Sequence, residues 1–151
     1  MQGAQSTATS KASPEDAWLL VADMTRMGEY IPGIQKVQTK PEGAPTGVGT
    51  VRQIQIPGGF LMEEKIIEWN EGASYRYSLN QDRWPLAHYE SWIIVEPAAG
   101  GSSITWGAEW RLVDGMAAAV AGKGLTKALS RMYRKSTERM ASLLDDATDS
   151  K

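Results

Sequence analysis

The stretch AHYESWIIVEPAAGGSSITWGAEWRL, residues 87–112, decides the fold because it contains two alternating runs joined by a turn. In residues 87–96, and again in residues 103–112, apolar or small side chains occupy every second position. A period of two is typical of a β-strand with one buried face. Proline and paired glycines in PAAGGS (97–102) are typical of a turn. The sequence therefore predicts an antiparallel hairpin.

Further strands are predicted on the amino-terminal side of this hairpin. Residues 34–39, 50–56, 60–69 and 74–80 are rich in β-branched or aromatic side chains, and Pro- and Gly-containing segments separate several of them. Residues 4–12 alternate small apolar and polar side chains and predict an edge strand. Together with the hairpin, these runs make about seven strands.

Helices are predicted between the first two strands and at the end of the chain. Ser13 is placed to cap a helix that has Pro14 at its first position. The glycines and proline of residues 25–34 allow a second short helix there. Residues 116 to about 146 place apolar side chains on one face and basic side chains on the rest, so we expect a long helix with a solvated face. Residues from about 146 to 151 are expected to form a disordered tail.

This order of elements predicts an α+β fold in one domain spanning residues 1–151. An antiparallel sheet of this size must bury one face, and only the final helix is long enough to cover it. Because strongly twisted sheets curl, we expect a curved antiparallel sheet of about seven strands wrapped around the long C-terminal helix, with two short helices after strand 1.

Composition excludes several classes of function. The net charge of −2 and the pI of about 5.5 argue against a nucleic-acid binder. The chain has no cysteine and one histidine, so thiolate chemistry and two-histidine zinc sites are excluded. His88 has the opposite parity to Tyr89 and is expected at the surface or the rim of a pocket. No secretory leader, membrane span, dinucleotide motif or metal loop is evident, and we expect a cytoplasmic protein without cofactor or metal.

Four stretches carry a resemblance to a known family. They are GVGTVRQIQIPGG (47–59), EEKIIEWNEGASYRYSL (63–79), WPLAHYESWIIVEP (84–97) and SSITWGAEW (102–110). With the flanking helices they resemble the SRPBCC superfamily, also called START-like, helix-grip or Bet v 1-like, and within it the polyketide cyclase/dehydrase and lipid-transport group. The resemblance implies a helix-grip fold and a cavity for a small hydrophobic ligand or substrate, in a monomer or homodimer.

The middle of the chain is also similar to the plant abscisic-acid receptors of the same superfamily. In that likeness PGG (57–59) corresponds to the gate loop and WPL (84–86) to the latch beside the pocket mouth. The segment around PGG is shorter than that gate, and Ile31 stands at about the position of the receptors' carboxylate-binding lysine. Abscisic acid is therefore not the expected ligand.

The strand FLMEEKIIEW (60–69) has two faces of equal hydrophobicity, and its orientation decides where Glu64 lies. Glu63 and Lys65 place opposite charges on one face, which suits water. Glu64 lies between apolar residues of the other face, and the resemblance implies that the matching glutamate points into the cavity. We predict an inward Glu64, which must then be hydrogen-bonded, paired or protonated. Arg52 or Arg76 is expected to reach it only if a strand twists.

The inward parity of the other strands, the latch-like segment and the final helix define a predicted pocket. Its catalytic candidates are Glu64, Tyr77 and Tyr89. Its predicted substrate-binding residues are Ile54, Met62, Ile66, Leu79, Trp84, Leu86, Ser91, Trp106, Ala108, Leu125, Leu129 and Met132.

Three functions remain open from the sequence. In a cyclase or dehydratase, Glu64 would move a proton while Tyr89 and Tyr77 hydrogen-bond a carbonyl or developing enolate. In a carrier or sensor of a lipid, quinone, terpenoid or aromatic metabolite, Glu64 would orient the ligand. In a partner-binding protein, PGG and WPL would move, and Trp84 would contact the partner.

Overall fold

The protein forms one seven-stranded antiparallel sheet with helices against one face. The computed structural model describes residues 1–80 and 85–151, apart from the side chains of residues 116–121. The strands are β1 (Gln2–Ser10), β2 (Lys36–Thr39), β3 (Val51–Ile56), β4 (Phe60–Asn70), β5 (Ser74–Leu79), β6 (Leu86–Ala98) and β7 (Gly101–Leu112). Their order in the sheet is β1-β7-β6-β5-β4-β3-β2.

The helices are α1 (Pro14–Ala22), α2 (Met27–Tyr30) and α3 (Met116–Asp149), with a 3₁₀ turn (Met24–Arg26) before α2. The predicted cap is confirmed, because the Asp16 backbone N–H donates to the Ser13 hydroxyl at 3.1 Å. The expectation of a disordered tail from about residue 146 is wrong for most of that segment. The last turn of α3 is anchored by buried Leu144 and by Lys11, whose Nζ lies 2.7 Å from the Asp149 carboxylate.

The sheet curves around α3, which confirms the expected helix-grip fold. Helix α3 packs chiefly on β1 and β7, while α1 packs on β6 and β7. The inward side chains of the strands and of the short helices form one continuous buried cluster between these layers. The concave face of the sheet is therefore the interior of the molecule.

A β-bulge in β4 explains why its two faces tie in hydrophobicity. Between Ile66 and Glu68 the pairing with β5 shifts by one residue. Before the bulge, Glu64 and Ile66 are buried, whereas Ile67 is 40% exposed. After it, Trp69 pairs with Tyr75 and packs against the interior. Because an extra residue exchanges the faces of a strand, apolar residues occur on both parities of this segment.

A second bulge lies at the start of β6. Leu86 pairs with Leu112 and His88 pairs with Arg111, so Ala87 is the extra residue. Leu86 and Tyr89 are consequently both buried although they are three positions apart. Both predicted pocket residues thus reach the interior.

Glycines at two places should respond oppositely to alanine. A Cβ at Gly101, the first residue of β7, would lie 2.0 Å from the Ser10 carbonyl oxygen at the end of the neighbouring strand β1. Gly101→Ala should lower the free energy of unfolding by about 1–3 kcal/mol because the backbone must shift. Gly124 lies in α3 with open space around it, so Gly124→Ala should raise stability by about 0.5–1 kcal/mol. Urea unfolding gives the change in the free energy of unfolding for each variant. If the two changes were equal, the close packing at Gly101 would be contradicted.

Candidate functional site

The residues predicted to line a pocket do converge on the concave face. Tyr77 and Tyr89 are buried there together with Ile54, Ile66, Leu79, Leu86, Ser91, Trp106 and Ala108. Partly buried side chains packed against this group are Met62, Leu125, Leu129 and Met132. Trp84 lies outside the described residues. The predicted set therefore forms one surface, with α3 above it.

Glu64 points inward as predicted, and its partner is Arg52. The two residues are directly opposite in the β3–β4 register, and the Arg52 Nε–H donates to Glu64 Oε2. Both are buried, with 0% and 5% of their surface exposed. The expectation that pairing needs a twisted strand is wrong, because residues directly opposite in an antiparallel pair share a face. The parity that places Ile54 inside also places Arg52 inside, and this was the overlooked sequence feature.

Burial and pairing act in opposite directions on the two charges. Burial raises the pKa of the Glu64 carboxyl, and the Arg52 guanidinium opposes this without cancelling it. Burial alone would lower the pKa of Arg52, but the Glu64 carboxylate raises that pKa well above its ordinary value. Arg52 therefore stays charged, while Glu64 is easier to protonate than an exposed glutamate.

Aromatic rings surround the Arg52 guanidinium. Its Cζ lies 4.4 Å from the ring centroid of Tyr77, within cation–π range, and 5.8 Å from that of Tyr75. Its Nη1 lies 3.5 Å from the Tyr75 hydroxyl, which donates to the Val21 carbonyl oxygen at 3.2 Å. These contacts fix the guanidinium in one orientation on the concave face.

Two buried polar atoms of this region find no hydrogen-bond partner among the described residues. They are Nη2 of Arg52 and the hydroxyl of Tyr30 in α2. Burial raises the pKa of Tyr30, and the nearby charges of Arg52 and Glu64 also act on it. A buried donor without an acceptor is costly and calls for an explanation such as a bound oxygen atom. Sequence reasoning missed Tyr30 because strand parity carries no information about a short helix.

A second group of hydroxyls lies beside the ion pair. Trp106 Nε1 donates to the Tyr77 hydroxyl at 3.0 Å and to Ser91 Oγ at 3.2 Å. Ser91 Oγ in turn donates to the Gly107 carbonyl oxygen at 2.7 Å. The Tyr77 hydroxyl accepts from Trp106 and also interacts with Ser91, so it belongs to one polar group with both residues.

Tyr89 is joined to α3 by a hydroxyl pair. Its OH lies 2.9 Å from the OH of Tyr133. Burial raises the pKa of Tyr133 to about 12 and that of Tyr89 well above its ordinary value, so both hydroxyls stay protonated. One O–H of the pair binds the other oxygen, and the Tyr133 hydroxyl also has a hydrogen bond with Ser91. The sequence placed Tyr133 on the apolar face of α3 but not among the site residues.

His88 lies on the opposite, convex face of the sheet, as its parity predicts. Its side chain is 34% exposed, and Nε2 lies 3.8 Å from Glu109 Oε1. It does not belong to the concave site.

Comparison with known proteins identifies the family. Residues 1–145 match the family described as polyketide cyclase / dehydrase and lipid transport, and the chain belongs to this family. The resemblance stated from the sequence is thereby confirmed. No curated protein matches the sequence. None of the described helices is long and apolar enough to cross a membrane.

Solved structures of low sequence identity share the fold. The di-domain ARO/CYC StfQ from the steffimycin biosynthetic pathway superposes with a TM-score of 0.80 at 12% identity, covering 97% of this chain and 51% of that one. XoxI from Bacillus cereus gives 0.79 at 18% identity, covering 98% and 99%. Ara h 8.0201 gives 0.68 at 17% identity, covering 95% and 97%.

Removing Arg52 alone should destabilise the protein more than removing both members of the ion pair. Arg52→Met leaves a buried carboxylate without its counter-charge and should cost about 3–5 kcal/mol at neutral pH. Adding Glu64→Gln to that variant should restore most of the loss. Urea unfolding gives the values. The half-buried pair of Lys40 and Glu63, 3.1 Å apart at the surface, serves as the control, and its double replacement by Met and Gln should cost at most about 1 kcal/mol.

The stability of the Arg52→Met variant should also depend on pH. Burial raises the pKa of Glu64 above its ordinary 4.5, so the folded protein binds more protons than the unfolded chain from that pH upward. Stability contributed by this group is full below 4.5 and is lost as pH rises through the folded-state pKa. Without Arg52 the folded-state pKa of Glu64 lies higher, because the charge that lowers it is gone. The free energy of unfolding should therefore fall further with rising pH than in the parent protein. If the free energy of unfolding of Arg52→Met showed the same pH dependence as that of the double variant, which lacks the Glu64 carboxyl, the burial of Glu64 would be contradicted.

Proposed function

We propose that this protein catalyses the cyclisation or dehydration of a small hydrophobic polyketide-like molecule on its concave face. Glu64 moves the proton, and Arg52 binds the oxygen on which negative charge develops. The observation that carries the proposal is the buried Arg52–Glu64 pair, whose Arg52 Nη2 lacks a partner among the described residues. A fixed donor beside a carboxylate of raised pKa, in apolar surroundings, is the arrangement that enolate chemistry requires.

The chemistry follows from these groups. The Glu64 carboxylate removes a proton from a carbon between two carbonyl groups, and the electron pair of the C–H bond moves to the carbonyl oxygen. Arg52 Nη2–H and a tyrosine hydroxyl, from Tyr77 or Tyr89, donate to that oxygen. The enolate carbon then attacks a second carbonyl of the same chain, which forms the ring bond. Protonated Glu64 returns its proton to the alkoxide that forms at the second carbonyl, which gives a hydroxyl group. Glu64 then removes the remaining proton of the attacking carbon and passes it to that hydroxyl, which leaves as water while the electron pair of the C–H bond forms the new double bond.

The electrostatics of the site support these roles. A general base is most effective when its pKa lies near the working pH, and burial shifts Glu64 in that direction. Arg52 does not titrate, so it remains a donor throughout the reaction. The aromatic wall excludes water and holds a flexible chain in a folded shape, which lowers the entropic cost of ring closure.

Family membership and the fold likeness to the ARO/CYC protein StfQ agree with a cyclase. The description of the family also includes lipid transport. A carrier would use the same concave face without turnover, so the experiment must separate binding from catalysis.

The test is turnover of a synthetic poly-β-ketone thioester, followed by mass spectrometry of the dehydrated aromatic product. Glu64→Gln keeps the shape and an acceptor but cannot take the proton, and should lower kcat by about 10²–10⁴. Glu63→Gln is the matched control, because Glu63 is the adjacent carboxylate on the opposite face, and it should leave kcat within about twofold of the parent.

Two outcomes would contradict the proposal. If Glu64→Gln retained turnover within a few-fold while remaining folded, Glu64 would not be the base. If the parent protein bound the thioester, as native mass spectrometry would show, but did not accelerate its conversion, the protein would be a carrier.

A further inference from the structure

The convex face of the sheet brings a histidine and two carboxylates to one point. His88 and Glu90 are neighbours on the outward face of β6, and Glu109 lies directly opposite Glu90 on β7. One ligand atom of each residue lies within 4.8 Å of the other two. None of these residues takes part in the chemistry proposed for the concave face.

Two carboxylates face each other here, and Arg76, which pairs with Glu90, compensates their repulsion only in part. Like charges directly opposite each other in an antiparallel pair destabilise the sheet, and Glu90 faces Glu109 in this way. His88 Nε2 is shielded from water and has no hydrogen-bond partner among the described residues, at 3.8 Å from Glu109 Oε1. That separation is too long for a hydrogen bond but suits two ligands of one ion.

We propose that His88, Glu90 and Glu109 bind a divalent transition-metal ion, with Zn²⁺ the best fit. One imidazole nitrogen and two carboxylate oxygens match the ligand preferences of zinc, and three protein ligands leave a fourth position for water. Tetrahedral ligands at the usual zinc distances of about 2.0–2.2 Å lie about 3.3–3.5 Å from one another. The three ligand atoms lie within 4.8 Å of one another and therefore have to approach by up to about 1.5 Å to close on the ion.

The surroundings allow the ion to enter. Glu109 also lines a cavity of about 440 Å³, together with Trp92, Ala108 and residues 1–5, so one side of the cluster borders this cavity. Arg76 now binds Glu90, with Nη1 2.7 Å from Oε1, and its Nε lies 3.7 Å from Glu68 Oε2. Arg76 can keep Glu68 as partner when the metal takes Glu90.

The neighbouring positive charges set the strength and selectivity of the site. Arg76 and Arg111, which pairs with His88 in the sheet register, both reduce the attraction for a cation. Hard ions that prefer an all-oxygen shell gain nothing from the imidazole. We therefore expect selectivity for Zn²⁺ over Mg²⁺ and Ca²⁺, which distinguishes a ligand set from general attraction to acidic groups.

The experiment is calorimetric titration of the metal-stripped full-length chain with Zn²⁺, together with the shift in Tm at saturating metal. The parent protein should bind one Zn²⁺, and its Tm should rise. Mg²⁺ or Ca²⁺ at the same concentration should neither bind nor raise the Tm. His88→Ala and Glu109→Gln should each weaken Zn²⁺ binding by at least about tenfold. Glu63→Gln, at a half-buried carboxylate of another ion pair, should bind like the parent.

Glu109→Gln provides a second, opposite readout. Removing one of two facing carboxylates should raise Tm in the absence of metal while weakening Zn²⁺ binding, a combination that a general loss of folding would not give. The proposal is overturned if the parent protein binds no Zn²⁺, or if His88→Ala and Glu109→Gln bind it as tightly as the parent. It is also overturned if Mg²⁺ and Ca²⁺ match Zn²⁺.

Discussion

The buried ion pair between Arg52 and Glu64 constrains the rest of the structure. Removing two charges from water costs several kcal/mol per ion, and mutual attraction repays that cost only in good geometry. The geometry here comes from the β3–β4 register, in which the two residues are directly opposite. A slip of one residue would turn one charge outward and leave the other buried alone. The pair therefore specifies this register more strongly than the apolar residues of β4, which occur on both faces.

The hydroxyl network ties this pair to the sheet and to α3. The Tyr77 ring covers the guanidinium, and its hydroxyl accepts from Trp106 of β7. Tyr89 of β6 meets Tyr133 of α3 through their hydroxyls. Such contacts use polar tips while burying large apolar bodies, which tyrosine and tryptophan do better than phenylalanine. This explains why the chain has six Trp and five Tyr but one Phe.

Strand parity was sufficient to predict most of the concave surface but not its electrostatics. Alternation placed Tyr77, Ser91 and Trp106 correctly, since a regular strand repeats every two residues. It could not locate the two bulges, because one inserted residue leaves no compositional mark in a β-rich run. Tyr30 was missed because it belongs to a short helix. Arg52 was named as a possible partner of Glu64 but was expected to need a twisted strand, because an arginine on a buried face contradicts the usual preference for exposure.

Among the described residues of the concave face, one buried group can exchange a proton under mild conditions. Arg52 remains protonated at any ordinary pH, and the Glu64 carboxylate raises the pKa of Arg52 further. Burial raises the pKa values of Tyr30, Tyr75, Tyr77, Tyr89 and Tyr133, so these phenols stay neutral. Among the described residues of this face, that leaves Glu64, whose raised pKa brings its proton towards the neutral range. The proposed acid–base chemistry therefore uses that carboxyl, with the neighbouring cation and neutral hydroxyls as fixed donors.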